Sequence, residues 1–127
     1  DFCYIDNAIQ ANLLAATTQN PEALNQVYNV AVGERTSLNQ LYQTLKTLLA
    51  PRHPHLAAAA PEYRDFRPGD VRHSLADITK ANTLMGYTPT HRIGQGLTEA
   101  MTWYETFFQP QKNGIDRTVN QKIRHHP

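Results

Sequence analysis

The 127-residue chain is one ordinary domain's worth of sequence, 40% apolar and 18% charged with a formal net charge of +1; this allows one buried core and excludes a body that binds nucleic acid by bulk charge. It contains no long apolar run, so neither a membrane span nor a signal-peptide core is expected. The single cysteine, Cys3, has no partner within the chain, and in its apolar run it reads as a small buried hydrophobe suited to a reducing compartment, the cytoplasm.

Asp1 opens a run of strand character, Phe2-Cys3-Tyr4-Ile5, without a polar lead-in, which suggests a start inside an element. Asp6 or Asn7 can cap a following helix whose apolar face is Ile9, Leu13, Leu14 and Ala16, and Pro21 ends it near Asn20. Val27 to Val32 alternate, with Tyr28, Val30 and Val32 on one side, and Gly33 breaks the run; the period of two predicts a strand. Ser37 followed three residues later by Gln40 forms a capping box, and Leu38, Leu41, Tyr42, Leu45, Leu48 and Leu49 lie along one helical stripe that stops at Pro51.

Residues 52–61, with two further prolines and an alanine run, read as a surface connection, and Glu62 to Phe66 as a short strand. Asp77 begins another helix with Ile78, Ala81, Leu84 and Met85 inward and Gly86 as its stop. Ile93, Leu97, Ala100, Met101, Tyr104 and Phe108 recur at helical spacing, and Trp103 and Phe107 widen that stripe as core aromatics. From Pro110 onward the basic residues Lys112, Arg117, Lys122 and Arg124 outnumber Asp116, so residues 110–127 read as a flexible basic tail, and 1–109 as the folded region. The order of elements predicts an α/β fold with too few strands to close a sheet alone.

No glycine-rich phosphate loop follows a strand; catalytic, cofactor-binding and metal-ligating residues are not expected in this chain. His53-Pro54-His55, with no carboxylate or thiol at set spacing, is weak as a metal pattern. The pattern that carries chemistry is Arg67-Pro68-Gly69-Asp70-Val71-Arg72-His73-Ser74. Guanidiniums match a diphosphate bidentately, a carboxylate accepts from paired ribose hydroxyls, and glycine lets the backbone come close. An ordinary surface turn with local salt bridges is the competing account of the same residues.

Five stretches in fixed order, Asp1-Phe2-Cys3-Tyr4-Ile5-Asp6-Asn7, Tyr28-Asn29-Val30-Ala31-Val32-Gly33, Arg67 to Ser74, Ala76-Asp77-Ile78-Thr79-Lys80-Ala81, and Met85-Gly86-Tyr87-Thr88-Pro89, resemble the carboxy-terminal third of the extended short-chain dehydrogenase/reductase family. More narrowly they look like the bacterial UDP-N-acetylglucosamine 4-epimerases of surface-polysaccharide biosynthesis such as O-antigen synthesis. The resemblance covers residues 1 to about 108. It implies a parent isomerase whose absent amino-terminal Rossmann core binds NAD and supplies the Tyr-x-x-x-Lys pair. This chain would then be an inactive fragment contributing the UDP-sugar-binding half, with no NAD of its own.

By the same resemblance Arg67 contacts the diphosphate, Asp70 the uridine ribose, and Ser74 leaves room for an N-acetyl group at the sugar C2. A second phosphate-binding arginine of the family sits immediately before the position matching Asp1, so half the clamp is expected to be missing. The expected partner is a UDP-N-acetylhexosamine, with no nucleic acid and no membrane; the parent would be a homodimer, and the fragment would self-associate through exposed apolar faces. Ser74 and the Arg72-His73 pair favour this assignment over another dehydratase or epimerase of the family. A free-standing protein-binding module, presenting its leucine-rich or aromatic helix to a partner, is the reading from a different class.

Overall fold

The computed structural model describes residues 1–108, and the expected basic tail lies outside them. Its elements are α1 (Ile5–Thr17), α2 (Leu38–Leu49), α3 (Thr79–Met85) and α4 (Ile93–Phe108), with 3-10 turns at Pro21–Ala23 and Pro54–Ala58. Among the described residues there is no strand, which corrects the α/β expectation for this stretch of chain. An extended segment becomes a strand only when a neighbour completes its ladder. Val27–Val32 has no such neighbour: it runs as non-helical chain with Tyr28 and Val30 half-buried, Val32 buried and Val27 87% exposed. The alternation is largely kept, while the hydrogen-bonding partner is not there. Glu62–Phe66 likewise has no regular structure and lies exposed.

The opening run is also not a strand. Tyr4, at φ −69° and ψ 147°, is the N-cap residue of α1, and the helix begins at Ile5. Cys3 is exposed, contrary to its expected place in the core. The inward stripe of α1 is Asn7 and Ala11, both buried, with half-buried Leu14 against the core. Ile5, Ile9 and Leu13, expected on the buried side in part, share the opposite face and are 60%, 48% and 61% exposed. A period near 3.6 identifies a stripe but not the neighbour that covers it.

Local signals hold better. The capping box forms as read: Gln40 N–H donates to Ser37 Oγ at 3.2 Å and Ser37 N–H to Gln40 Oε1 at 2.7 Å. The α2 stripe faces α4, with Leu41, Tyr42, Leu45, Leu48 and Leu49 half-buried, although Leu38 is exposed. α3 ends at Gly86, whose φ of 71° is left-handed backbone that glycine adopts without a Cβ penalty. Thr79 N–H donates to Asp77 Oδ1 at 2.9 Å, and these hydrogen bonds from Thr79 hold the Asp77 carboxyl below its usual range.

The small core gathers Ala11, Ala23, Ala81, Met85 and Tyr87, joined by Leu14, Tyr28, Val30, Ile78 and Leu84. α1 reaches α4 closely at Gly96, where a Cβ would fall 2.7 Å from the Tyr4 side chain. The aromatics of α4 are a correction to the core expectation: Trp103, Tyr104, Phe107 and Phe108 are 45–66% exposed. They stack on each other instead, Trp103 on Phe107 at 4.8 Å and Tyr104 on Phe108 at 6.1 Å between ring centroids. No helix among the described residues is long and apolar enough to cross a membrane.

Candidate functional site

The segment from Arg67 to Ser74 is built around a tight turn. Asp70 N–H donates to the Arg67 carbonyl at 3.1 Å, with Pro68 and Gly69 at the corner and Gly69 at φ 86°. Proline presets the first corner residue and only glycine takes positive φ at the second without strain, the pattern of a type II turn. The turn returns the chain so that Arg67 Nε lies 3.2 Å from Asp70 Oδ2. The Arg67 side chain is 85% exposed and that of Asp70 38%, so one edge of the guanidinium is occupied while the rest stays in water.

Beside this turn, the Arg72 guanidinium lies 4.2 Å from the centroid of the Phe66 ring, a cation–π arrangement that presents a positive charge on an aromatic face. The whole stretch from Glu62 to Leu75 is exposed. Ser74 is placed through its backbone: its carbonyl accepts from the Asp1 amino group at 3.1 Å. Thus Arg67 and Asp70 come together, and among the described residues no hydrogen bond joins the Ser74 side chain to either.

Asp1, which the sequence offered only as an opening residue, turns out to organise the ground under this segment. Its carboxylate accepts from the backbone N–H of Val32 at 3.1 Å, Gly33 at 3.0 Å and Ala76 at 3.3 Å. Two distant pieces of chain, Val32-Gly33 and Ala76, are thereby drawn to one carboxylate, and charge-assisted bonds of this kind are about twice as strong as neutral ones. Nothing local signals it: the partners lie 31 to 75 residues away.

A cleft of about 750 Å³ opens elsewhere, between α2 and α4, with Leu45, Leu49, Met101, Tyr104 and Phe108 along its walls. Arg52 Nη1 pairs there with Glu105 Oε2 at 2.6 Å, and His53 Nε2 lies 3.7 Å from Glu105 Oε1. The rings of His53 and His55 stand edge to face at 6.1 Å. None of Arg67, Asp70 and Ser74 lines this cleft, so the surface turn and not the cavity is the place the sequence pattern singled out.

No family model matches the chain. Its curated relatives include a dTDP-L-rhamnose 4-epimerase from Burkholderia thailandensis, 28% identical over 103 residues, with 81% of this chain and 26% of the relative covered. A UDP-glucuronate 4-epimerase from Thermodesulfobacterium geofontis is 29% identical over 104 residues, with 81% and 29% covered. A UDP-glucose 4-epimerase from Mycolicibacterium smegmatis is 25% identical over 104 residues, with 82% and 30% covered. The chain therefore spans less than a third of the length of these relatives, all of which are sugar-nucleotide 4-epimerases by name.

Proposed function

We propose that residues 1–109 are the sugar-nucleotide-gripping part of a cytoplasmic, NAD-dependent UDP-N-acetylglucosamine/UDP-N-acetylgalactosamine 4-epimerase of the extended short-chain dehydrogenase/reductase family. The observation that carries the reading is the exposed turn in which Pro68 and Gly69 bring the Arg67 guanidinium beside the Asp70 carboxylate. The names of the relatives agree on the reaction class and differ in both nucleotide and sugar. The choice of UDP and of an N-acetylhexosamine rests on this chain's own residues and on its resemblance to that family.

In this reading the donors of Arg67 left in water take the diphosphate, worth roughly 1.5–3 kcal/mol per charge-assisted bond. Asp70 Oδ1, the oxygen not paired with Arg67, accepts from the ribose hydroxyls, and Ser74 leaves space at C2 of the sugar. The second phosphate contact, the NAD site and the acid–base pair belong to the remainder of a longer parent. The chain lacks a glycine-rich strand–turn–helix for a dinucleotide, so no step through NAD is assigned to its residues. What this part supplies is binding energy remote from the reacting carbon, which keeps the sugar in place while its face is exchanged. The Ile5, Ile9 and Leu13 face of α1 would self-associate when this part is isolated.

Calorimetric titration with UDP, UDP-N-acetylglucosamine and dTDP tests the reading. Equal affinity for the first two, a loss of about tenfold in Arg67→Ala, and a UDP preference over dTDP that disappears in Asp70→Asn are expected. An Arg67→Ala variant that binds UDP as well as the original chain would remove the turn from the site. A preference for dTDP would favour another epimerase or dehydratase of the same family.

A further inference from the structure

Three side chains from different parts of the chain converge at the joint between α1 and α4. Asp6 in the first turn of α1, His91 just before α4 and Glu99 on α4 each bring a potential ligand atom to within 4.8 Å of the others. His91 Nε2 lies 3.1 Å from Glu99 Oε1. Two carboxylates at this spacing repel unless a positive centre lies between them. Arg92, the neighbouring guanidinium in sequence, is paired with Glu34. The N-terminal dipole of α1 contributes about half a positive charge at Asp6, which is less than the two carboxylates carry.

His91 is placed firmly. The buried side chain of Asn7 donates from Nδ2 to the His91 carbonyl at 2.7 Å and accepts at Oδ1 from the His91 N–H at 3.0 Å. Asn7 Oδ1 also accepts from the Thr90 hydroxyl at 3.2 Å, and Thr90 Oγ1 is 2.9 Å from His91 Nδ1. A hydroxyl has one proton. Since it is given to Asn7, Thr90 accepts from Nδ1–H, which holds the ring and leaves Nε2 as the nitrogen turned toward the Glu99 carboxylate. An imidazole held at its other nitrogen is how metal-binding histidines are oriented.

The Tyr4 ring closes one side, 5.0 Å from that of His91.

We propose that Asp6, His91 and Glu99 form a binding site for a divalent cation of the kind that accepts one nitrogen and two oxygen ligands, with water completing its shell, and that the ion clamps α1 to α4. Zinc meets such ligands at about 2.0–2.2 Å, so ligand atoms around one ion lie up to about 4 Å apart; a small inward motion of the exposed Asp6 and Glu99 side chains closes the present spacing.

The full chain, stripped with a chelator, is titrated with Zn2+ by calorimetry, and its melting temperature is followed with and without the ion. One-to-one binding and a higher melting temperature are expected, both weakened tenfold or more in Glu99→Gln and in His91→Gln. Glu99→Gln keeps the Asn7 contacts and so separates loss of the ion from loss of the fold, which circular dichroism of the metal-free variants checks. Undiminished binding in Glu99→Gln, no binding at all, or binding that disappears in His53→Gln/His55→Gln or in His125→Gln/His126→Gln would overturn the site.

Discussion

The joint between α1 and α4 and the turn from Arg67 to Asp70 are both polar, yet they are built in opposite ways. At the joint, one wholly buried side chain, Asn7, serves four partners on residues 83 and 84 positions away. At the turn, the contacts are between residues three apart and lie in water. The difference separates what holds the chain together from what is free to meet a ligand. A buried polar group must be satisfied within the protein, so each of its bonds constrains the fold. An exposed pair is stabilised little by its partner and can exchange it for a phosphate at small cost.

Removing the buried side should therefore have the largest effect. Asn7→Ala leaves the Thr90 and His91 N–H groups and the His91 carbonyl without their partner, and a loss of about 2–4 kcal/mol is expected, measured by chemical denaturation. Asp1→Ala strands three backbone N–H groups, and about 2 kcal/mol should be lost. Hydrogen exchange at Gly33 and Ala76 should quicken in the same variant; unchanged exchange there would mean that Asp1 does not hold these segments together.

Tyr87 sharpens the comparison from the side of pH. Its hydroxyl donates to the Ala31 carbonyl at 2.7 Å inside the core, and burial pushes its pKa up to about 12. The unfolded phenol titrates near 10. The folded chain therefore retains the proton longer, and the contribution is complete below about pH 10 and lost as the pH rises through about 12. Tyr87→Phe should cost about 1 kcal/mol at neutral pH and should flatten the alkaline fall in stability between those limits. A fall just as steep in the variant would assign it to other groups.

The same contrast explains which parts could be read from the sequence. Ser37 with Gln40, Gly86 after α3, and Pro68-Gly69 at the turn are decided within four residues, and all three form as read. The strands at Phe2–Ile5, Val27–Val32 and Glu62–Phe66 needed neighbours to become strands, and none is present among the described residues. Ile9 and Leu13 were assigned to the core from their spacing, while Asn7 and Ala11, each two residues from Ile9 and so on the other face, are buried. Spacing gives a face its residues; tertiary contacts decide which face is covered. The pairing of Arg67 with Asp70 across the turn was legible because it is local, whereas the contacts of the Asp1 carboxylate were not, its partners being far along the chain.

The smallest expected effect on stability is at the turn itself. Arg67→Ala removes a side chain that is 85% exposed and a single ion pair with Asp70. Exposed pairs of this kind contribute about 0–1 kcal/mol, so the denaturation midpoint should shift within the range of a surface change, about 0.5 kcal/mol. The proposed loss of UDP affinity is several times larger than that, because the diphosphate would lose a charge-assisted contact that only the side chain provides. A variant with original stability and weakened binding would identify Arg67 as a residue kept for its ligand. A variant that loses stability by more than 1 kcal/mol would instead make the pair with Asp70 part of what holds the turn, and the division between a constrained joint and a free turn would fail at that point.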